Sequence, residues 1–399
     1  MKQALLTFNA GSSSIKFGLY ERDTLTLLCR GQISDIGADA VFRVDGTLAG
    51  QLRAHPAPLP RSGDHDAQTH WLLGLLDAAL ADIEVCAAGH RVVHGGPEFA
   101  APTRLTPAVV EKLMAYSALA PNHQPHNLAP IRSVAATWPR VIQYACFDTA
   151  FHRTQPRVAE LFALPRELSD EGIIRYGFHG LSYAYIAGVL PEIIGDRAAA
   201  GKVVVAHLGH GASLCAMVER RSVGTSMGFT ALDGLMMGKR CGALDPGVVL
   251  HLVQHHGMNI DEVSNVLMNK SGLLGVSGIS DDVRELLASD SPQAAEAIDL
   301  FVYRAVREIG ALIASIGGLD ALVFTAGIGE HSPVIRERIA QPFTWLGVEL
   351  DAAANAANAP IISSPESKVQ VLALPTNEEI VIAEAAAEFI ERGSSANVS

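Results

Sequence analysis

The chain lacks three features that would point to particular classes of protein: an excess of basic residues, paired cysteines and a long apolar run. Its 399 residues carry 42 Asp and Glu against 30 Lys and Arg. This acidic balance argues against general binding to nucleic acid or to an anionic membrane, because both normally need a basic face. The five cysteines are scattered without a Cys-x-x-Cys pair, which favours reduced thiols over disulfides or a zinc site. Since no apolar run approaches membrane-spanning length, we expect a cytoplasmic protein without nucleic-acid or membrane partners.

The length and the order of predicted elements indicate two domains. Hydrophobic residues make up 49% of the chain and charged residues 18%, which is typical of a well-buried globular protein too long for one core. Strand-like runs followed by strand–helix units occur once in residues 1–150 and again in residues 151–376. We therefore predict two related α/β domains with a cleft between them. The helix predicted at 377–392 is a candidate part of the first domain, and 393–399 reads as a flexible tail.

Residues 4–17 predict a β-hairpin whose turn can hold a phosphate. An apolar run ends at Asn9, passes through Gly11 and three serines, and resumes around Lys16, so two strands flank a tight turn. The amide, hydroxyls, backbone N–H groups and ammonium gathered there suit phosphate oxygens and the water shell of Mg²⁺. An ordinary polar hairpin turn is the alternative. The stretch at 50–66, rich in Pro, His and Asp, is predicted to be an exposed loop.

Polar residues beside predicted strand ends and glycines are further candidates. Arg91 lies in a predicted strand that Gly95 and Gly96 close, so it is placed near a sharp turn, where its planar guanidinium can bind a carboxylate or phosphate. Asp148 follows the apolar run 141–147, and such strand ends commonly border a cleft. His179 lies between two glycines before a predicted helix, where it could donate a hydrogen bond to a transferring group. A surface arginine, a turn aspartate and a structural histidine are the respective alternatives.

The second half adds glycine-rich segments. Glycines around His210 let backbone approach a phosphate closely, and Arg240, between glycines, has no evident packing role. Glycines at a strand-to-helix junction in 325–333, with Ser332 as the predicted N-cap, would let a nucleotide lie against the helix start. Thr376 and Glu379 predict a capping box at the start of a helix. Glu378 is then free to hold a metal ion through water.

Taken together and in this order, these segments resemble the acetokinase family, which includes acetate and propionate kinases, from Asn9 to Glu379. The resemblance implies a duplicated ribonuclease H-like α/β fold of the superfamily of acetate and sugar kinases, actin and heat-shock chaperones, with ATP in an interdomain cleft. It also implies a homodimer. The implied reaction is reversible, direct in-line phosphoryl transfer from ATP to a short-chain carboxylate, acetate first, giving an acyl phosphate.

The resemblance also implies roles for the residues that match family positions. Five residues are expected to be catalytic. Arg91 and Arg240 match the pair that grips the acyl carboxylate and the transferring phosphoryl group, His123 and His179 match histidines near the γ-phosphate, and Asp148 matches the essential cleft carboxylate. The expected acyl pocket consists of Val93, Asn122, Phe178 and Ala231. Asn9 and Glu378 are expected to position Mg²⁺, with Mn²⁺ as an alternative. The ATP-binding residues implied are Ser12, Lys16, His207, Gly209, His210, Gly211, Asp282, Val283, Arg284, Gly327, Ile328, Gly329, Glu330, His331 and Ile335.

Three of these positions depart from the family pattern. His210 stands where the family usually has Asn, Asn122 replaces a leucine and Ala231 replaces a proline. A more polar and roomier pocket leads to the hypothesis that propionate or a more polar short acid competes with acetate. The alternative functions are therefore a kinase of the same family that prefers propionate or another short acid, and an actin- or chaperone-like ATP switch without an acyl substrate.

Overall fold

The computed structural model describes residues 2–11, 13–54, 58–60, 63–80, 82–120 and 123–396, with side chains up to residue 391. Two predicted site residues, Ser12 and Asn122, lie outside these ranges, as do residues 397–399 of the predicted tail. The chain divides into two compact units, Met1–Phe151 together with Asn377–Ser399, and His152–Thr376. No helix within the described ranges is both long and apolar enough to cross a membrane.

The first unit is built on a seven-stranded sheet in the order β4-β3-β2-β1-β5-β7-β6. Its strands are β1 Lys2–Ala10, β2 Ile15–Glu21, β3 Leu27–Ser34, β4 Val41–Gly46, β5 Ile83–Val92, β6 Thr103–Arg104 and β7 Ile142–Phe147. Its helices are α1 Ala49–Ala54, α2 His65–Ala79, α3 Pro107–Ala115, α4 Gln124–Thr137 and α17 Glu378–Ala396.

Strand β1 is buried on both faces, because helices cover each side of the sheet. Leu6 and Phe8 pack on one side with Leu72 of α2 and Val134 of α4. On the other side Leu5 packs with Ala383 of α17 and its neighbours. A central strand of this kind is apolar along its whole length rather than alternating.

The second unit has a five-stranded sheet in the order β10-β9-β8-β11-β12. Its strands are β8 Val203–Leu208, β9 Ala212–Val218, β10 Arg221–Thr225, β11 Ala321–Thr325 and β12 Gln370–Ala373. Its helices are α5 Arg157–Glu160, α6 Arg166–Asp170, α7 Gly180–Ile194, α8 Asp196–Ala199, α9 Pro246–Gln254, α10 Ile260–Asn269, α11 Gly272–Ser277, α12 Val283–Leu287, α13 Pro292–Ile316, α14 Ala326–His331, α15 Pro333–Ala340 and α16 Ala352–Ala356. Short 3₁₀ turns occur at Tyr116–Leu119, Ala150–Thr154 and Gln341–Leu346.

The two sheets repeat one topology. In the first unit β3 pairs antiparallel with β2, and β2 pairs antiparallel with β1. On the other side of β1, β5 pairs parallel with β1 and β7 pairs parallel with β5. In the second unit β10 pairs antiparallel with β9, and β9 pairs antiparallel with β8. On the other side of β8, β11 pairs parallel with β8 and β12 pairs parallel with β11. The duplicated ribonuclease H-like α/β fold expected from the sequence is therefore confirmed.

Some local predictions were wrong. The segment predicted as a loop at 50–66 contains most of α1 and the start of α2. Helix α1 forms there because Leu52 is buried against the core. The predicted capping box at Thr376 is also wrong: α17 begins at Glu378, and Asn377 Oδ1 accepts a hydrogen bond from Ile380 N at 3.2 Å. Asn is at least as good an N-cap as Thr. Residues up to Ala396 continue the helix, beyond the predicted start of the tail.

Arg336 of α15 is a buried cation that holds neighbouring backbone in place. Its side chain is fully buried and donates to the carbonyl oxygens of Gly329 and Glu330, both at 2.9 Å, at the end of α14. It also donates to the side chain and backbone of Asn355 at 2.8 and 2.6 Å. Burial lowers the pKa of Arg336, and its five hydrogen-bond acceptors are neutral oxygens.

Replacing Arg336 by Met should lower the free energy of unfolding by about 3 kcal/mol, because several buried carbonyl groups lose their donor. Arg338→Met is the matched control on the same helix, where the ion pair with Asp299 is partly exposed, and it should cost less than about 1 kcal/mol. Urea unfolding of both variants measures the difference. Equal effects would show that Arg336 is not a structural anchor.

His90 of β5 is a buried histidine that must stay neutral in the folded protein. It is 1% exposed and stacks on Phe8 with ring centroids 5.3 Å apart. Burial lowers the pKa of His90 to about 3, and neither ring nitrogen has a hydrogen-bond partner among the described residues. The unfolded chain therefore binds a proton near pH 6.5 that the folded protein does not bind.

Stability linked to His90 should consequently be present above pH 6.5 and lost as the pH falls toward 3. Between pH 6.5 and 5.5 the loss should be about 1 kcal/mol. His90→Gln should remove this part of the pH dependence, whereas the exposed His70→Gln should not. Urea unfolding at the two pH values tests this, and an unchanged slope in His90→Gln would contradict it.

Candidate functional site

Four predicted residues form one hydrogen-bonded chain in the first unit. Arg91 Nε and Nη2 donate to the two oxygens of Asp148 at 2.9 and 2.5 Å. Arg91 Nη1 donates to Asn9 Oδ1 at 2.9 Å. Asn9 Nδ2 in turn donates to Glu378 Oε2 at 3.1 Å. The structure thus brings together residues that are up to 369 positions apart in the sequence.

The parallel part of the first sheet explains why these side chains meet. Asn9 lies near the end of β1 and Arg91 near the end of β5, while Asp148 follows β7. The three strands run parallel in adjacent positions, so their carboxyl ends lie at one edge of the sheet, the usual place for ligands in α/β proteins. Glu378 reaches this edge from the first residue of α17.

The Arg91–Asp148 pair is buried, and its electrostatics fix its role. Burial raises the pKa of the Asp148 carboxyl, and the Arg91 guanidinium and the nearby His123 act in the opposite direction. Burial works against the charge on Arg91, but Asp148, Glu378 and Glu379 raise its pKa overall. Arg91 donates one hydrogen bond to each Asp148 oxygen, so Asp148 orients the guanidinium, and each oxygen can still accept a further hydrogen bond.

Helix α4 supports this edge with residues that the sequence patterns did not single out. Asn127 accepts from Val93 N at 2.8 Å and donates to Ala10 O, so it ties β5 to β1. Gln124 binds both the N–H and the carbonyl of His94. The one sequence feature that points to these supports is the cluster of amide and imidazole side chains at 123–127. The sequence analysis predicts a role for His123 alone in this cluster.

The hairpin turn between β1 and β2 has its own support. His65 Nε2 donates to Gly11 O at 2.7 Å, and burial lowers the pKa of His65. Lys16 of β2 is exposed and lies opposite Asn9 in the strand register. Val93, predicted to line the acyl pocket, is buried immediately after β5.

In the second unit two predicted histidines stack on each other. The rings of His179 and His207 are 4.1 Å apart at their centroids and 17° from parallel. His207 Nδ1 is 2.8 Å from Ser182 Oγ. His179 has a left-handed backbone, with φ of 58°, at the start of α7. A Cβ at Gly211 would lie 3.4 Å from His179 Nε2 and 3.8 Å from Arg240 Nη1, so both side chains lie beside this glycine.

Arg240 differs from Arg91 in its partners. Its Nη1 donates to Ala231 O at 3.0 Å, and burial lowers its pKa. Among the side chains that the structure describes, no carboxylate lies within ion-pair distance of Arg240. Ala231 and Phe178, both predicted for the acyl pocket, belong to this unit, whereas Val93 belongs to the first.

The predicted phosphate-facing loop is linked to the predicted adenosine segment. Gly209 N donates to Gly211 O at 3.1 Å across the loop. His210 Nε2 lies 2.7 Å from Asp281 Oδ2, to which Lys239 also pairs at 3.4 Å. The hydrogen bond from His210 lowers the pKa of Asp281. The histidine that departs from the family pattern therefore binds a residue adjacent to Asp282.

The remaining predicted nucleotide residues fall into two groups. Asp282 caps α12 and pairs with Arg284 at 2.5 Å, and both are accessible, whereas Val283 and Ile335 are buried and could only form the wall of a site. The segment expected to be a glycine junction is the short helix α14, which contains Gly327, Ile328, Gly329, Glu330 and His331. The left-handed Ala326, with φ of 63°, makes the sharp entry from β11.

A metal ion would find few protein ligands here. Within the described part of the chain, no three His, Cys, Asp or Glu side chains are grouped so that they could hold one. The cluster around Asn9 offers one carboxylate, that of Glu378, outside the Arg91–Asp148 pair. Such a site suits Mg²⁺ that takes most of its ligands from phosphates and water.

Comparisons with known proteins identify the family of the chain. A family model described as the Acetokinase family matches residues 4–384. The chain is similar to an acetate kinase of Rhodopseudomonas palustris (strain TIE-1), with 54% identity over 96% of this chain and 97% of the relative. Its structure is similar to that of a propionate kinase from Francisella tularensis subsp. tularensis SCHU S4, with 34% identity, a TM-score of 0.87 and coverage of 97% and 99%.

A crystal structure of Porphyromonas gingivalis acetate kinase is similar to the same extent, with 33% identity, a TM-score of 0.85 and coverage of 97% of this chain and 100% of that one. The family model and these relatives cover nearly the whole chain, including both ends of the hydrogen-bonded chain from Asn9 to Glu378. This protein belongs to the acetokinase family.

Proposed function

We propose that this protein transfers the terminal phosphoryl group of ATP to the carboxylate of a short-chain acid, acetate first, and that the reaction is reversible. The observation that carries the proposal is the Glu378–Asn9–Arg91–Asp148 chain at the carboxyl ends of three parallel strands. The name of the 54% identical relative, acetate kinase, supports the choice of acetate.

The chemistry follows from charge. A carboxylate is already a nucleophile and needs no general base, so the protein must offset the repulsion between two anions. Arg91 is suited to this, because Asp148 and Asn9 occupy three of its five N–H donors and leave two. The ion pair holds the guanidinium in place before substrate arrives, so little reorganisation is needed during transfer.

Arg240 is the second cation in the proposal. Burial disfavours its charge, and its described acceptors, Ala231 O and the Met237 sulfur, are neutral. An anionic ligand, either the acyl carboxylate or the transferring phosphoryl group, would supply the missing compensation. His179 Nε2 also lies beside Gly211 and would contribute a further hydrogen bond.

Asn9 and Glu378 are the residues that would hold Mg²⁺. An amide oxygen and one carboxylate match the sparse protein ligation that Mg²⁺ has in phosphoryl-transfer sites. When bound, the ion would neutralise charge on the phosphates of ATP. Mn²⁺ prefers similar oxygen ligands and stays an alternative.

The proposal extends to assembly and compartment. Apolar side chains of the second unit such as Leu250 and Ile260 are 57% and 70% exposed, which supports the expected homodimer. The five cysteines are free, which supports a reducing cytoplasm.

The proposed activity predicts acetohydroxamate when the protein is incubated with ATP, Mg²⁺, acetate and hydroxylamine. Arg91→Ala and Arg240→Ala should each lower kcat/KM by roughly a hundredfold to a thousandfold, because each removes about 3–4 kcal/mol of charge stabilisation. Arg338→Met serves as the matched control and should retain activity. ATP-dependent conformational change without any hydroxamate would instead favour an actin- or chaperone-like switch.

The acyl pocket generates a separate prediction. Because Asn122 and Ala231 replace a leucine and a proline, the preference for acetate over propionate should be weak. The double variant Asn122→Leu/Ala231→Pro should raise the acetate-to-propionate ratio of kcat/KM by about tenfold, the discrimination worth one methylene group. A kcat/KM panel of acetate, propionate, butyrate and glycolate measures it. A sharp acetate optimum in the unmodified protein would refute the idea.

A further inference from the structure

A buried pair of hydroxyl groups lies directly behind His179. Its Nδ1 is 2.9 Å from Ser213 Oγ, and the phenol oxygen of Tyr183 is 2.5 Å from the same serine oxygen. Ser213 lies on β9 and Tyr183 on α7, and both are 0% exposed. Neither residue was given a role by the sequence patterns.

We propose that Tyr183 and Ser213 are positioning residues that fix the tautomer of His179. In this relay the Tyr183 phenol donates to Ser213 Oγ, the Ser213 hydroxyl donates to His179 Nδ1, and the proton of the neutral ring lies on Nε2. The inference rests on the proposed place of His179 beside the transferring phosphoryl group.

The direction of the relay follows from the protons that are present. Burial raises the pKa of Tyr183 well above its ordinary value, so the phenol keeps its proton and is a donor at neutral pH. A serine hydroxyl has one proton and can accept while it donates. Ser213 Oγ can therefore accept a hydrogen bond from the Tyr183 phenol while the Ser213 hydroxyl donates one to His179 Nδ1. The reverse direction would require a proton on Nδ1 and would leave Nε2 of a neutral ring without one.

The surroundings of Nε2 call for a donor. This atom and Arg240 Nη1 both lie beside Gly211, in the loop predicted to face phosphate, at 3.4 and 3.8 Å from the place that a Cβ on this glycine would take. Phosphoryl oxygens accept hydrogen bonds, so an Nε2–H group is useful there and a bare lone pair would be repelled. A doubly protonated ring would also donate, but it would place a second positive charge near Arg240 and against the stacked ring of His207.

The backbone of His179 is held as firmly as its ring. His152 Nε2 donates to the carbonyl of Phe178 at 2.9 Å, and its Nδ1 lies 2.9 Å from Ser222 Oγ. This contact secures the peptide immediately before the left-handed His179, a conformation that persists only where neighbouring contacts support it. His152 thus sets the backbone position, and Ser213 sets the ring and its proton.

The tautomer is measured directly by ¹⁵N NMR of the full-length protein labelled in its histidine rings. The His179 signals are those missing from the spectrum of His179→Gln. The expected spectrum shows the proton on Nε2 and an Nδ1 that accepts a hydrogen bond. A proton on Nδ1, or a doubly protonated ring at neutral pH, overturns the proposal. This measurement needs no variant of the relay, so it decides the matter even where a variant fails to fold.

Variants then test the relay. Tyr183→Phe and Ser213→Ala should give a mixture of both His179 tautomers and lower kcat by about tenfold or more, with KM for ATP and acetate changed less than about twofold. Ser213→Thr keeps the hydroxyl and should restore both the single tautomer and kcat. Met217→Leu, buried on the same strand, is the control. A loss of kcat in Ser213→Ala without any change of tautomer overturns the proposal.

The His179 tautomer and acetohydroxamate formation are measured independently, so they test the relay and the proposed kinase activity separately. The tautomer is read without substrate, so an Nε2–H ring in a protein that forms no acetohydroxamate would support the relay and remove the kinase assignment. Normal hydroxamate formation with a ring protonated at Nδ1 would do the reverse.

Discussion

The bidentate ion pair between Arg91 and Asp148 is the interaction on which the candidate site depends. Both side chains are largely buried, and a buried charge needs an opposite charge or several hydrogen bonds to offset its lost hydration. The ends of β1, β5 and β7 supply these partners, and Asn9 and Glu378 extend them. Removing either member would leave the other as an uncompensated charge inside the unit, so the pair is structural and functional at once.

The two arginines that the family resemblance treats alike are physically different. Arg91 has a carboxylate partner within its own unit, whereas Arg240 contacts neutral acceptors among the described residues and burial lowers its pKa. One guanidinium is therefore paired with an opposite charge inside its own unit, whereas the other contacts only neutral acceptors among the described residues. Under the proposed function, an anionic ligand at Arg240 would supply the opposite charge.

The sequence predicts residues at strand ends better than residues inside helices and strands. The positions of Asn9 and Asp148 could be predicted because each ends an apolar run, and that of Arg91 because paired glycines close its strand. Parallel strands end at one edge, so the three residues are expected together. Asn127, Ser213 and Arg336 could not, because each looks like an ordinary polar position and its partners are distant in sequence. The cap of α17 was misplaced by a single residue, since Thr376 and Asn377 are both good caps and only the backbone decides between them.

The order of the segments has a consequence for synthesis of the protein. Helix α17, which covers one face of the first sheet and brings Glu378, follows the whole second unit in the chain. A ribosome adding about 5–20 residues per second needs on the order of 10–45 s to make the intervening segment. During that interval the nascent first sheet exposes the apolar face around Leu5 and Ala87 that α17 will cover. Until α17 is made, this face therefore lacks the helix that covers it in the folded protein.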